Sequence, residues 1–106
     1  MLLHAAICAH TAGIDVLLTH GPPAVDGIDG GMGCPLLLEH VRRLRPRLVV
    51  CGHIHQAHGV VEGSVAHGLE GVTLVNAANA GGYGAKQHSR RLGWPVVELE
   101  LSSVSN

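Results

Sequence analysis

The sequence predicts an α/β fold, and three observations predict it: two short apolar stretches that read as buried strands, an amphipathic stretch between them, and the abrupt ending of both strands at a glycine and a histidine. A strand, a helix of about three turns and a second strand make a parallel crossover unit, for which the right-handed connection is overwhelmingly favoured. Both strands then point the same way. Their carboxy-terminal loops emerge on one edge of the sheet, where open α/β sheets bind their ligands.

The first strand covers residues 15–19 (DVLLT) and is stopped by His20, Gly21, Pro22 and Pro23, because proline has no amide hydrogen for a ladder. Residues 24–33 are rich in Gly and Asp, show no periodicity and read as loop. In residues 34–44 (CPLLLEHVRRL), Leu37, Val41 and Leu44 recur at helical spacing, Pro35 suits a first turn, and Arg42 and Arg43 complement the dipole near the end. Pro46 stops the helix, and residues 48–51 (LVVC) form the second strand, which breaks at Gly52 and His53. Further on, residues 59–62 (GVVE) and 72–76 (VTLVN) read as strands of a meandering sheet. Residues 77–91, with Gly81, Gly82 and Gly84, read as a mobile loop. Residues 95–101 (PVVELEL) have the alternation of a strand with one wet face, and the Ser-rich tail is expected to fray.

A chain of 106 residues fits one domain, spanning 1–106, with no repeat or linker to divide it. With 46% hydrophobic and 14% charged residues it falls outside the composition of disordered chains. Trp94 and Tyr83 are its only aromatic residues, which leaves no platform for stacking bases, and a net charge of −1 gives no basic surface for a phosphate backbone. Nucleic acid is therefore not an expected partner. The run Arg42, Arg43, Arg45 and Arg47 reads as a solvated helix end. Cys8, Cys34 and Cys51 are odd in number and widely spaced, so neither a disulfide framework nor a cysteine zinc site is expected. The apolar opening MLLHAAICAH lacks a basic start, and no stretch reaches the roughly 20 apolar residues of a membrane span, so the expected setting is cytoplasmic.

Nine histidines outnumber the seven Lys and Arg together, and their placement carries the chemistry. Gly52-His53-Ile54-His55 follows directly on a buried strand. There the chain leaves its pleat, Gly52 frees the backbone, and both imidazoles can turn toward one bound ion or ion pair. Neutral imidazole is the commonest nitrogen ligand for Zn, Fe and Mn sites but brings no charge, so carboxylates must come from elsewhere. Thr19-His20-Gly21 ends the other strand on the same edge, so His20, His53 and His55 are the candidate metal ligands. His58 extends the run to HIHQAH, but its offset of three from His55 breaks the alternating HxHxH of the histidine-triad nucleotide hydrolases. His40 on the helix and His67 and His88 in loops read as surface residues. Asn76 ends a strand and reads either as a neighbour of substrate or as a turn cap. Cys51 lies within an apolar strand, where a thiolate is disfavoured.

LLTHGPP, the helix after it, LRPRLVVCGHIH and GVTLVNAAN together resemble the calcineurin-like metallophosphoesterases, and more narrowly their metallophosphoesterase-domain protein branch. The resemblance runs from about residue 15 to residue 101 and is carried most specifically by LLTHGPP joined to CGHIH. It implies an αββα sandwich with two divalent metal ions (Mn, Fe or Zn) at the strand ends, with His20 and His53 as ligands of one ion and His55 of the other. It also implies hydrolysis of phosphomonoesters or phosphodiesters, including nucleotides. In the family the other ligands lie upstream, in Asp-x-His, Gly-Asp-x-x-Asp and Gly-Asn-His motifs, none of which this sequence contains. The chain thus reads as the carboxy-terminal part of such a domain, a partial sandwich with its amino-terminal half missing and an exposed edge or apolar face as a result.

A pair of dications is held together by anionic ligands, and three neutral histidines leave that repulsion uncompensated. The chain is therefore expected to bind at most one ion, weakly, and to be inactive by itself. The alternative is a non-catalytic remnant that binds metal, nucleotide or a partner chain.

Overall fold

The structure, a computed structural model, describes residues 13–79 and 97–100. The elements are β1 (Val16–Leu18), α1 (Pro35–Leu44), β2 (Leu48–Cys51), β3 (Gly59–Glu62) and β4 (Thr73–Asn76), with single 3-10 turns at His55–Ala57 and Val65–His67. They form one mixed sheet in the order β1-β2-β4-β3. β1 and β2 pair in parallel with Leu17 opposite Val49, β2 and β4 in parallel with Val49 opposite Leu74, and β3 runs antiparallel to β4 with Gly59 opposite Asn76.

The strand, helix and strand expected between residues 15 and 51 are therefore present, and the three parallel strands end on one edge. The helix starts where its sequence says it should. Cys34 is the N-cap, its Sγ accepting from the Leu37 amide at 3.4 Å, and Pro35 occupies the first helical position, where no amide hydrogen is needed. Arg45 closes it in a left-handed conformation with φ 49°, its amide donating to the Val41 carbonyl.

Leu37, Leu38, Val41 and Leu44 form the buried stripe of α1 and pack with Leu17, Val49 and Leu74 of the sheet face beneath. Val25 and Ile28 from the 24–33 loop and Leu69 and Val72 from the β3–β4 connection complete this core. Each such side chain contributes about 1.5–3 kcal/mol through its removal from water. Asp29 organises the loop that delivers Ile28: one carboxylate oxygen accepts from the Gly31 amide at 3.0 Å, the other from Gly33 at 3.2 Å.

The opposite face of the sheet is only partly covered. Val16, Leu18 and Val60 are 40%, 69% and 46% exposed, although Leu48 and Val75 on the same face are buried. An exposed apolar face is what the sequence leads one to expect. The two-sheet sandwich is not seen, because the described residues supply four strands and one sheet.

Two other expectations are corrected. Residues 95–101 were expected as a strand; of these Val97 to Glu100 are described, and they join no ladder among the described residues. Alternation alone does not make a strand without a partner edge. The arginine run is also more than a solvated helix end: Arg42 Nε donates to the His67 carbonyl at 2.6 Å, and Arg45 donates to the carbonyls of Gly68 and Glu70. These exposed side chains tie the helix end to the β3–β4 connection, satisfying carbonyls that the turn at Val65–His67 leaves open. The loop expected over residues 77–91 and the fraying tail lie, apart from residues 77–79, outside the described residues.

Candidate functional site

The carboxy-terminal ends of β1, β2 and β4 lie side by side, and the chain leaves each of them toward the same rim. Ladder bonding continues one step past the strands, with the Thr19 amide donating to Val50 O at 2.9 Å, Gly52 to His20 O at 2.9 Å and Ala77 to Cys51 O at 2.8 Å. His20 and His53 thus stand two residues beyond neighbouring parallel strands. Their side chains meet: His20 Nε2 is 3.2 Å from His53 Nδ1, with ring centroids 4.6 Å apart and planes tilted by 42°.

The backbone at His53 is unusual. Its φ is +69°, and the Ile54 amide donates to the Gly52 carbonyl at 2.8 Å across it. A positive φ at the centre of an i to i+2 bond is the three-residue γ-turn of the rare, strained kind. A left-handed conformation costs a residue with a Cβ about 1–2 kcal/mol. Gly52 was expected to supply the backbone freedom here, but its φ is not among the positive ones and His53 takes the strain instead. Glycine can relieve strain only where it occurs, and the turn is centred one residue later.

A second device holds this loop. Asn76, the last residue of β4, is 0% exposed, and its Nδ2 donates to both Ile54 O and Ile28 O at 2.9 Å, while its Oδ1 accepts from the Ala78 amide at 2.9 Å. Two carbonyl partners and one amide partner fix which end of the side chain is which. Of the two readings the sequence left open, the cap describes what Asn76 does, although it spans three segments rather than one turn.

His55 begins the 3-10 turn, half-buried, with its Nδ1 buried. It does not join His20 and His53 in a three-ligand cluster. Among the described residues no group of three or more His, Cys, Asp or Glu side chains is placed to hold a metal ion. The other histidines stand elsewhere: His67 Nδ1 lies 2.9 Å from Ser64 Oγ, and His40 is on α1 beside Arg43. Burial pushes the Cys51 thiol up to about 11, and its Sγ donates to Val75 O at 3.4 Å, which makes it a neutral packing residue.

Whether a divalent ion fits can be tested on the pair itself. Two nitrogens each about 2.0–2.1 Å from one ion, at a tetrahedral angle, lie about 3.3 Å apart. The observed 3.2 Å is the length of a hydrogen bond between the two rings, with the tautomer setting which nitrogen donates, and it is also compatible with two adjacent positions of one ion. A pair of ions does not fit the chain's own donors. All eight acidic residues lie among the described residues, none belongs to a metal-holding group, and the most buried of them, Asp29, is committed to backbone amides.

A parallel α/β unit with two imidazoles meeting at its strand ends is the class that this fold and rim define. The chain is 44% identical over 71 residues to metallophosphoesterase domain-containing protein 1 of Homo sapiens, covering 60% of this chain and 22% of that protein. It is 51% identical over 53 residues to a UPF0046 protein of Caenorhabditis elegans (45% of this chain, 13% of that protein) and 42% identical over 76 residues to another (63% and 25%). The chain is thus a partial match to the metallophosphoesterase family and spans about a fifth of the length of the human relative. No family model matches the chain, and no solved structure matches it.

Proposed function

We propose that this chain supplies the histidine rim of a metal-dependent phosphoesterase site, with His20 and His53 as ligands of one divalent ion (Mn, Fe or Zn) and His55 as a ligand of a second. The observation that carries the reading is the 3.2 Å approach of His20 Nε2 to His53 Nδ1 from two different strand ends, a spacing compatible with one shared ion. The names of the relatives support the family chemistry, hydrolysis of a small phosphate ester or nucleotide. An ion bound there would polarise a phosphoryl oxygen and acidify a water.

The chain's own residues do the rest of what can be derived. To accept an ion, His20 must carry its proton on Nδ1 and His53 on Nε2, so that both facing lone pairs are free. The γ-turn at His53 and the Gly52 to His20 backbone bond hold the two rings in register before any ion arrives, so little ordering remains to be done on binding. Two neutral imidazoles hold one ion weakly, and carboxylates from another segment or chain are required for a pair.

A second reading has its own observation. Because no described acidic side chain joins the histidines, a non-catalytic module that binds metal, nucleotide or a partner chain through this rim is the alternative. Hydrolysis of bis-p-nitrophenyl phosphate with added Mn, by the chain combined with a polypeptide that supplies the missing carboxylates, separates the two. Turnover abolished by His53→Ala supports the phosphoesterase; a folded chain that binds the ion without turnover supports the binding module.

A further inference from the structure

We propose that Asn76 is a positioning residue that keeps the His20–His53 pair assembled by locking the strained turn at His53. Three observations meet at this side chain. It is fully buried, it uses both amide hydrogens and its oxygen, and its partners come from three segments: Ile28 in the loop after β1, Ile54 just beyond the strained residue, and Ala78 beyond β4.

Strain and lock meet at Ile54, on the two peptide units that flank its Cα. Its amide closes the γ-turn on the Gly52 carbonyl, and Ile54 O accepts from Asn76 Nδ2 and from the Ala57 amide at 3.1 Å. A residue with a Cβ returns to a negative φ unless its surroundings over-determine the left-handed one. At His53 the preceding side is fixed by the Gly52 to His20 bond, and the following side by Asn76. Rotation of His53 out of the turn must move the peptide that carries the Ile54 amide, and with the next peptide pinned by Asn76 through the Ile54 carbonyl, only the φ and ψ of Ile54 are left to absorb that motion. The Ile28 bond makes the same amide a brace between the loop that follows His20 and the loop that contains His53. The Asn76 side chain bonds backbone groups of Ile28, Ile54 and Ala78, so it acts on the pair through the backbone.

This inference deepens the metal-site reading, which gives the pair its use, yet it is measured on the metal-free chain. A failure to bind metal therefore sinks that reading and leaves this one standing. The variants are Asn76→Ala and Asn76→Ser; the serine hydroxyl can still accept from the Ala78 amide two residues on but is too short to reach both carbonyls. NMR reads two things: Overhauser contacts between the carbon-bound ring protons of His20 and His53, and the positive-φ signature of the His53 backbone. Both should be lost in each variant, while contacts among Leu17, Val49 and Leu74 persist. Zinc affinity should then fall by about 10–100-fold, as when an orienting partner of a ligand is removed. Survival of the ring contacts and the positive φ in either folded variant overturns the proposal. So does failure of both variants to fold, since Asn76 would then be a determinant of the fold and not of the pair.

Discussion

His20 and His53 are 33 positions apart in sequence, yet their ring nitrogens lie 3.2 Å from each other, and the Gly52 amide bonds the His20 carbonyl beneath them. Parallel pairing produces this: β1 and β2 run in the same direction, in register, and each releases a histidine two residues past its last ladder position. The backbone bond sets the spacing of the two loops. The γ-turn at His53 then aims its ring across.

If the left-handed φ of His53 is strain held by its surroundings, replacing it with the residue that suffers none should show the sign. His53→Gly and His53→Ala both lose the ring contact with His20. The glycine variant is expected to be more stable by about 1 kcal/mol, since alanine keeps the Cβ penalty and glycine does not. Urea unfolding of the two variants measures the difference.

One shared ion has a thermodynamic signature. Calorimetric titration with zinc should show His20→Ala and His53→Ala each weakening binding by about 100-fold or more, beyond the usual cost of losing only an outer partner. The double variant should be little worse than either single one, because ligands of one site are not additive. His55→Ala, assigned to a different ion, should leave this affinity within a few-fold of the parent.

Much of this was legible in the sequence, and the reasons are specific. The crossover unit could be read because Leu37, Val41 and Leu44 keep helical spacing between two apolar stretches that end in Gly and Pro. That unit places His20 and His53 on one edge; their ring contact also needs the turn at His53. The lock at Asn76 was not legible, because burial of an asparagine depends on carbonyls brought from Ile28 and Ile54 by the tertiary fold, and a strand-ending Asn looks the same as a turn cap. The strain at His53 was misplaced onto Gly52 for a related reason: a glycine marks a region of backbone freedom, while the residue at the centre of the turn is set by which amide closes the bond. The 3-10 turn that starts at His55 left no periodic signal, being three residues long. It separates His55 from the pair that the alternation in His53-Ile54-His55 suggested.

The raised thiol of Cys51 gives a pH dependence with a definite sign. Its value in the fold, about 11, exceeds the 9.0 of an unburied thiol because burial disfavours the thiolate. The unfolded chain therefore loses this proton first. The contribution to stability is fully present below pH 9.0 and is lost as the pH rises through about 11. Unfolding midpoints measured across that window should fall for the parent and stay flatter for Cys51→Val. A parent whose midpoint does not fall more than that of the variant contradicts the burial of this thiol.

Gly63 marks the close approach of β3 to the loop that carries Leu69. A Cβ there would strike the Leu69 carbonyl and lie 2.7 Å from the Leu69 Cβ, and Leu69 is fully buried in the core. Gly63→Ala is expected to lower stability by about 1–3 kcal/mol, the usual cost of overpacking. Gly71→Ala meets no atom but sits at a φ of +84°, so its cost is backbone strain of about 1–2 kcal/mol. Thermal unfolding of the pair compares a steric penalty with a conformational one.

The most direct test follows the imidazole nitrogens during addition of zinc to the 15N-labelled chain. The account predicts that His20 Nε2 and His53 Nδ1 shift together along one single-site binding curve with a shared dissociation constant, as two ligands of a single ion must. Movement of only one of these nitrogens, or of neither while zinc binds elsewhere, would contradict it.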